Sequence, residues 1–141
     1  MTAQPKPTRK TLKIILDANA LFVPIQFNID IFEELKKLLN RNFEPIVLFP
    51  THVELERIAG QASPETRKKA TYALKLAEKC KLMKVPKRKE TSTDDLIVHV
   101  ASKYKYPVFT NDRQLRNRLR DINVPVIYVR QKSRLEIDGR L

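Results

Sequence analysis

Short apolar runs that each end on a polar or acidic residue, separated by stretches with helical spacing, constrain this chain more than any other feature. Lys13–Leu16 closes on Asp17, Ile46–Phe49 runs into Pro50 and Thr51, Pro107–Thr110 into Asn111 and Asp112, and Val124–Val129 into Arg130. Apolar runs of this length, rich in Ile, Leu and Val, read as buried strands. Lys81–Val85 alternates as an edge strand does. Between the runs, Phe32, Leu35, Leu38 and Leu39 share one helical face opposite Glu33, Glu34, Lys36 and Lys37, which predicts a helix over 29–41. A second helix is expected from Thr51 to Ala59 with Gly60 as its C-terminal cap, and a third after Ser63-Pro64 with Ala70, Ala73, Leu74 and Ala77 as its packing stripe. A fourth begins at Ser92-Thr93, and a fifth follows Asp112 with Leu115, Leu119 and Ile122 on one side. Strands alternating with helices argue for an α/β fold: a three-layer α/β/α sandwich around a central parallel sheet with right-handed crossovers. Residues 1–10 read as a flexible basic arm, 11–130 as one folded domain and 131–141 as a basic C-terminal tail.

Composition narrows the function. A hydrophobic content of 42% in 141 residues supports one domain with a real core. No apolar run approaches the roughly 18 residues of a membrane span, and the start has no signal-peptide core, so a soluble, cytoplasmic protein with no membrane partner is expected. Cys80, the one cysteine, cannot form an internal disulfide, and with only His52 and His99 beside it a Cys/His zinc site is disfavoured. With Gly60 and Gly139 as the only glycines, neither a Walker A loop nor a GxGxxG turn can exist. The 28 Lys and Arg against 16 Asp and Glu give a net charge of +12, which points to an anionic polymer, nucleic acid first. Lys87, Arg88 and Lys89 in a loop, and Arg113, Arg116 and Arg120 on one helix face, are the candidate contacts to such a polymer.

Four carboxylates fall at equivalent stations. Asp17 ends the first strand, Glu54 lies in the helix after the second, Asp94 opens the helix after the third, and Asp112 follows the fourth. In a parallel sheet these stations share the carboxyl edge, where open α/β sheets bind ligands. Two unit charges 4 Å apart repel by roughly 4 kcal/mol at an effective dielectric near 20, so such a cluster needs compensation. Its neighbours are Asn19, Thr51, Thr93 and Thr110, neutral oxygen groups that suit Mg²⁺ or Mn²⁺ better than zinc. Each acid except Asp17 also has a purely structural reading. Thr51 to Glu54 and Ser92 to Asp95 match capping boxes and Asp112 can cap its own helix, whereas Asp17 is expected to start no helix immediately. Asp95 and Glu56 are second choices at their stations.

Leu16–Leu21, Glu54–Ile58, Thr93–Ile97 and Val108–Asp112 resemble the four signatures of PIN-domain ribonucleases, and the resemblance spans Leu12 to Val129. Asp17–Leu21 through Pro24, Gln26-Phe27 and Asp30–Leu35 is most similar to the archaeal branch related to the eukaryotic small-subunit processome endonuclease. The resemblance implies the strand order 3-2-1-4-5 and metal-dependent endonucleolytic cleavage of RNA in ribosomal RNA processing. It gives Asp17, Glu54, Asp94 and Asp112 as catalytic and metal-binding, with Asn19 and Thr110 in support. The segment 50–53 before Glu54 is short for this branch, which keeps Glu54 and Glu56 as alternatives. The implied partner is pre-ribosomal RNA or the small ribosomal subunit, with a homodimer as a further option. A VapC-type toxin ribonuclease and a non-catalytic RNA-binding PIN protein of ribosome assembly are the alternative readings.

Overall fold

A computed structural model describes residues 11–61, 63–86, 89 and 91–141; the expected arm and the loop residues Lys87 and Arg88 lie outside them. The elements run β1 (Leu12–Leu16), α1 (Ala18–Phe27), α2 (Ile31–Leu39), β2 (Phe43–Leu48), α3 (Phe49–Gln61), α4 (Pro64–Ala77), β3 (Lys81–Met83), α5 (Thr93–Tyr104), β4 (Val108–Phe109), α6 (Arg113–Asp121), β5 (Val126–Arg130) and β6 (Arg134–Asp138). They form one sheet in the order β3-β2-β1-β4-β5-β6. Five strands are parallel and in the expected order, and β6 adds antiparallel to β5.

Alternate residues of β1 face opposite layers, as the period of two requires. Ile14 and Leu16 pack with α1, α2 and α4 on one face, while Ile15 packs with α5 and α6 on the other. Both faces are therefore covered, and Ile14–Leu16, Ile46–Leu48 and Val108-Phe109 are buried, which explains the apolar runs that end these strands. No helix among the described residues is long and apolar enough to cross a membrane.

The structure departs from the sequence reading in four places. Helix α1 follows β1 at once, whereas no helix was expected before residue 29. Its apolar residues run nearly all round, so it lacks an amphipathic stripe, and Pro24 inside it removes a backbone donor; both features hide it from periodicity. Strand β2 begins at Phe43 rather than Ile46, and Pro45 is tolerated where β1 is paired with it but β3 is not. Helix α3 begins at Phe49, so Thr51 lies inside it and forms no capping box: its buried hydroxyl finds no hydrogen-bond partner among the described residues. Gly60 is likewise within α3 rather than capping it.

The fourth departure is at the end of the chain. Of residues 131–141, expected as a tail, Arg134–Asp138 form β6. The turn uses Gln131 and Lys132 at φ of 54° and 59°, without the Gly or Asn that usually marks such a hairpin. Gly139 at φ 105° then lets the chain pass Pro125, whose Cα would lie 3.2 Å from an added Cβ.

Candidate active site

The carboxyl ends of β1 and β4 are neighbours, with Leu16 opposite Phe109, so Asp17 and the segment Thr110–Asp112 leave the sheet side by side. Asp17 is fixed from both directions. Its Oδ1 accepts the Ala18 N–H at 2.7 Å, making Asp17 the N-cap of α1, contrary to the expectation that it starts no helix. Its Oδ2 accepts the Thr110 hydroxyl at 2.8 Å and the Asn19 amide at 3.0 Å. Thr110 Oγ1 in turn accepts the Asp112 N–H at 3.0 Å, so one buried hydroxyl links two of the four acids. Asn19 completes the frame by accepting the Asn111 N–H at 2.9 Å.

Asp112 caps α6 through Oδ1, which accepts from Gln114 N at 2.8 Å and Leu115 N at 3.2 Å. Among the described residues Oδ2 of Asp112 receives no protein donor, so capping and a role in the acid cluster coexist in one side chain. At the start of α5 the two adjacent acids divide their tasks. Asp95 forms the capping box with Ser92, at 3.0 and 3.4 Å, and pairs with Arg118 at 2.9 Å; these contacts hold its carboxyl below the usual range. Asp94, the second helical residue, has no such donors and lies on the side of the acids.

Electrostatics ties the group together. Burial pushes the Asp17 carboxyl up to about 6, the charges of Asp94 and Asp112 push it the same way, and the bonds from Thr110 and Ala18 oppose them. Asp94 is also raised, first by burial, then by Asp112, with smaller contributions from Asp95 and Glu54 against the pull of Arg118. Glu54 is thus near enough for its charge to bear weakly on Asp94, and it is half-exposed and 3.9 Å from Arg57. Glu56, two residues on, lies about 200° around the helix and meets His52 at 3.6 Å instead. The acids that converge are Asp17, Asp94 and Asp112 with Glu54 at the rim; Glu56 and Asp95 turn to other partners.

No three of these groups close into a ready-made cage among the described residues. What the site offers is donor chemistry rather than a closed cage: carboxylate, amide and hydroxyl oxygens, the hard donors that divalent cations take. A carboxylate raised by burial first and by neighbouring acids second, as Asp17 is, is also a group whose charge a cation would stabilise. The residues present therefore fit a divalent ion, with Asp17, Asp94, Asp112 and Glu54 as its candidate ligands.

Of the basic candidates, Lys89 and Arg113 are exposed. Arg116 lies 3.8 Å over the Tyr128 ring and 3.9 Å from Asp138, and Arg120 is 3.6 Å from Asp138, near the far end of α6 and about 12 Å along the helix from Asp112. These two arginines serve the β5–β6 hairpin. Sequence reasoning missed Asn111, whose Oδ1 accepts the Val129 N–H at 2.8 Å while its own N–H holds Asn19, tying β5 to the site. Its only signal was its place between the strand end and the capping Asp112. Arg118, the partner of Asp95, was missed as well, since nothing in the sequence sets it apart from the other arginines of α6.

A family model described as PIN like domain matches residues 14–132, which include all four acids. The chain belongs to the PIN domain family. Among PIN relatives, Ribonuclease VapC4 of Methanocaldococcus jannaschii is 33% identical over 128 residues, covering 90% of this chain and 97% of that protein. The rRNA-processing protein fcf1 of Schizosaccharomyces pombe is 31% identical over 127 residues, 87% of this chain and 62% of that protein. Among solved structures, the PIN domain endonuclease Utp24 superimposes with a TM-score of 0.74 at 28% identity, covering 92% of both chains. The family, its ribonuclease relatives and the strand order agree with the resemblance read from the four motifs.

Proposed function

We propose that this protein is a divalent-metal-dependent endoribonuclease acting in ribosomal RNA processing. The observation that carries the reading is the Thr110 hydroxyl that joins Asp17 to the Asp112 backbone, building an acid cluster at the sheet's switch point in a family whose relatives are ribonucleases. The likeness to fcf1 and Utp24 supports ribosomal RNA as substrate class, and a net charge of +12 supports binding through the phosphate backbone.

When bound, Mg²⁺ or Mn²⁺ supplies charge stabilisation for the phosphodiester and acidifies water. The chain's own residues do the rest. Asp17, Asp94 and Asp112 form the negative pocket, with Asp17 locked by Thr110 and Asn19 so that its geometry does not change on binding. Glu54, solvent-facing and free to turn from Arg57, is the carboxylate we assign to accept a proton from the attacking water. A P–O bond then forms to the water oxygen as the bond to one ribose oxygen breaks in line.

The test is cleavage of pre-ribosomal and structured RNA with Mg²⁺ or Mn²⁺ by wild type, Asp17→Asn and Asp94→Asn. Metal-dependent internal cleavage by the wild type alone is expected; equal activity in all three would sink the assigned site. The match to VapC4, which covers 97% of that protein, favours a toxin-type ribonuclease as the second reading. Growth arrest on expression, abolished by Asp17→Asn, with pre-ribosomal RNA left intact, would establish it.

A further inference from the structure

From the geometry of α3 we infer that a cleft beside the acids, floored by Phe49, is a subsite that stacks one unpaired RNA base next to the scissile phosphate. The inference rests on the nuclease reading above and adds a residue-level basis for preferring single-stranded substrate. The cleft has a volume of about 570 Å³ and lies between the start of α3 and the described residues Val85 and Thr93. Phe49 and Val53 are 43% and 42% exposed, an unusual pair of large apolar side chains on adjacent turns of one helix. Arg57 follows one turn later, so the i, i+4, i+8 spacing sets ring, aliphatic and guanidinium groups along one face of α3.

Three features favour a nucleotide over a protein as the occupant. Glu54 lines the cleft, and Thr93, another lining residue, immediately precedes Asp94, so the cleft borders the acid cluster. Its apolar part consists of little more than Phe49, Pro50, Val53 and Val85, far short of the roughly 20–30 residues a side that a stable protein interface uses. Arg57 at the end of the stripe is 57% exposed and only 3.9 Å from Glu54, a loose pair that a phosphate can claim. An aromatic face followed by a cation is the arrangement by which proteins hold single-stranded nucleic acid: the base stacks and the backbone is paired. A base inside a duplex cannot reach such a face, so the subsite selects single-stranded or splayed RNA.

The experiment measures binding of a fluorescently labelled single-stranded RNA dodecamer by anisotropy in EDTA, alongside a series with one abasic position and a duplex of the same sequence. Phe49→Ala is expected to weaken single-strand binding about fivefold or more, with Phe49→Tyr restoring it and duplex affinity unchanged. One abasic position should weaken the wild type by a similar factor and leave Phe49→Ala unaffected. Val53→Ala should show the same pattern in smaller measure, which keeps the test open if Phe49→Ala misfolds. Equal single-strand affinity for wild type and Phe49→Ala, or an equal loss on duplex, would overturn the subsite. So would unchanged RNA affinity coupled to a dimer-to-monomer shift in sedimentation, which would assign the cleft to a second copy of the chain. The expected binding pattern without metal-dependent cleavage would support the subsite and refute the nuclease reading; no RNA binding by the wild type would refute both.

Discussion

Replacing Asp17 by Asn is expected to change the pH dependence of stability before it changes anything else about the fold. Asp17 is 7% exposed and burial lifts its carboxyl from 3.8 to about 6. In the folded state it therefore holds its proton over a pH range where the unfolded chain has lost it. Where the native state binds more protons, stability falls as pH rises. The favourable contribution is complete below pH 3.8, declines between there and 6, and is absent above 6. The shift of about two units corresponds to about 3 kcal/mol. The substitution removes the titration but sets the new amide against that of Asn19 and the hydroxyl of Thr110, at a pH-independent cost of about 1–3 kcal/mol for mispaired donors. The informative quantity is thus the difference in unfolding free energy between wild type and Asp17→Asn, measured by urea titration in EDTA at pH 4.5, 5.5, 6.5 and 7.5. It should move in favour of the variant with rising pH and level off above about pH 6.5, by about 2 kcal/mol over this range, because part of the contribution is already lost at pH 4.5. Millimolar Mn²⁺ at pH 7.5 should stabilise the wild type and not the variant. A difference that stays flat across this range would refute the claim that burial of an acid strains this end of the sheet.

Other outcomes follow from the same contacts. Thr110→Val removes the hydroxyl shared by Asp17 and the Asp112 N–H, and should lower metal affinity or cleavage about 10- to 100-fold, read by isothermal titration and by RNA cleavage. Glu54→Gln should depress cleavage on the order of a hundredfold, whereas Glu56→Gln, paired only with His52, should leave the rate within twofold of wild type, roughly the scatter expected for a surface substitution. Ser92→Ala deletes the cap of α5 and should cost about 1 kcal/mol in urea denaturation while RNA cleavage at 25 °C persists. The Cys80 thiol, raised by burial to about 12, should resist alkylation by iodoacetamide at pH 8 in the native state and react fully in 6 M guanidinium.

Where the fold was legible in sequence, one dominant force governed the pattern. The buried ends of the strands read as apolar runs because helices cover both sides; α2 shows its stripe openly, and α4 and α5 show their serine caps, whereas the Asp30 cap of α2 fell inside the expected helix. Where two requirements overlap, the sequence was ambiguous. Asp17 ends a strand and caps a helix within one residue, and α1 is apolar nearly all round with Pro24 inside, so neither its start nor its period could be seen. The hairpin to β6 relies on left-handed Gln131 and Lys132 among many charges, and charge density there reads as tail. The four acid stations were legible from spacing along alternating elements. The division of labour between Asp94 and Asp95, and between Glu54 and Glu56, required the helix starts, because a shift of one or two residues turns a side chain through about 100° or 200°. The part played by Asn111 needed the sheet order, since its two contacts, Asn19 and Val129, are 92 and 18 residues away.

The two ends of the sheet are finished differently. At one end β3 is only three residues long and begins with Lys81, a short, charged border that offers little to a passing chain. At the other, β6 takes up the backbone groups of β5 from Val126 to Arg130 and shows the solvent Arg134 and Glu136 in their place. A polypeptide cut after Arg130 would keep its four acids and most of its core, yet β5, still paired with β4 on one side, would become an edge strand with its other side open. Such an edge is open to pairing with the same strand of a second copy. Arg134–Asp138 thus close the sheet edge that β5 would otherwise leave open, at a distance from the chemistry.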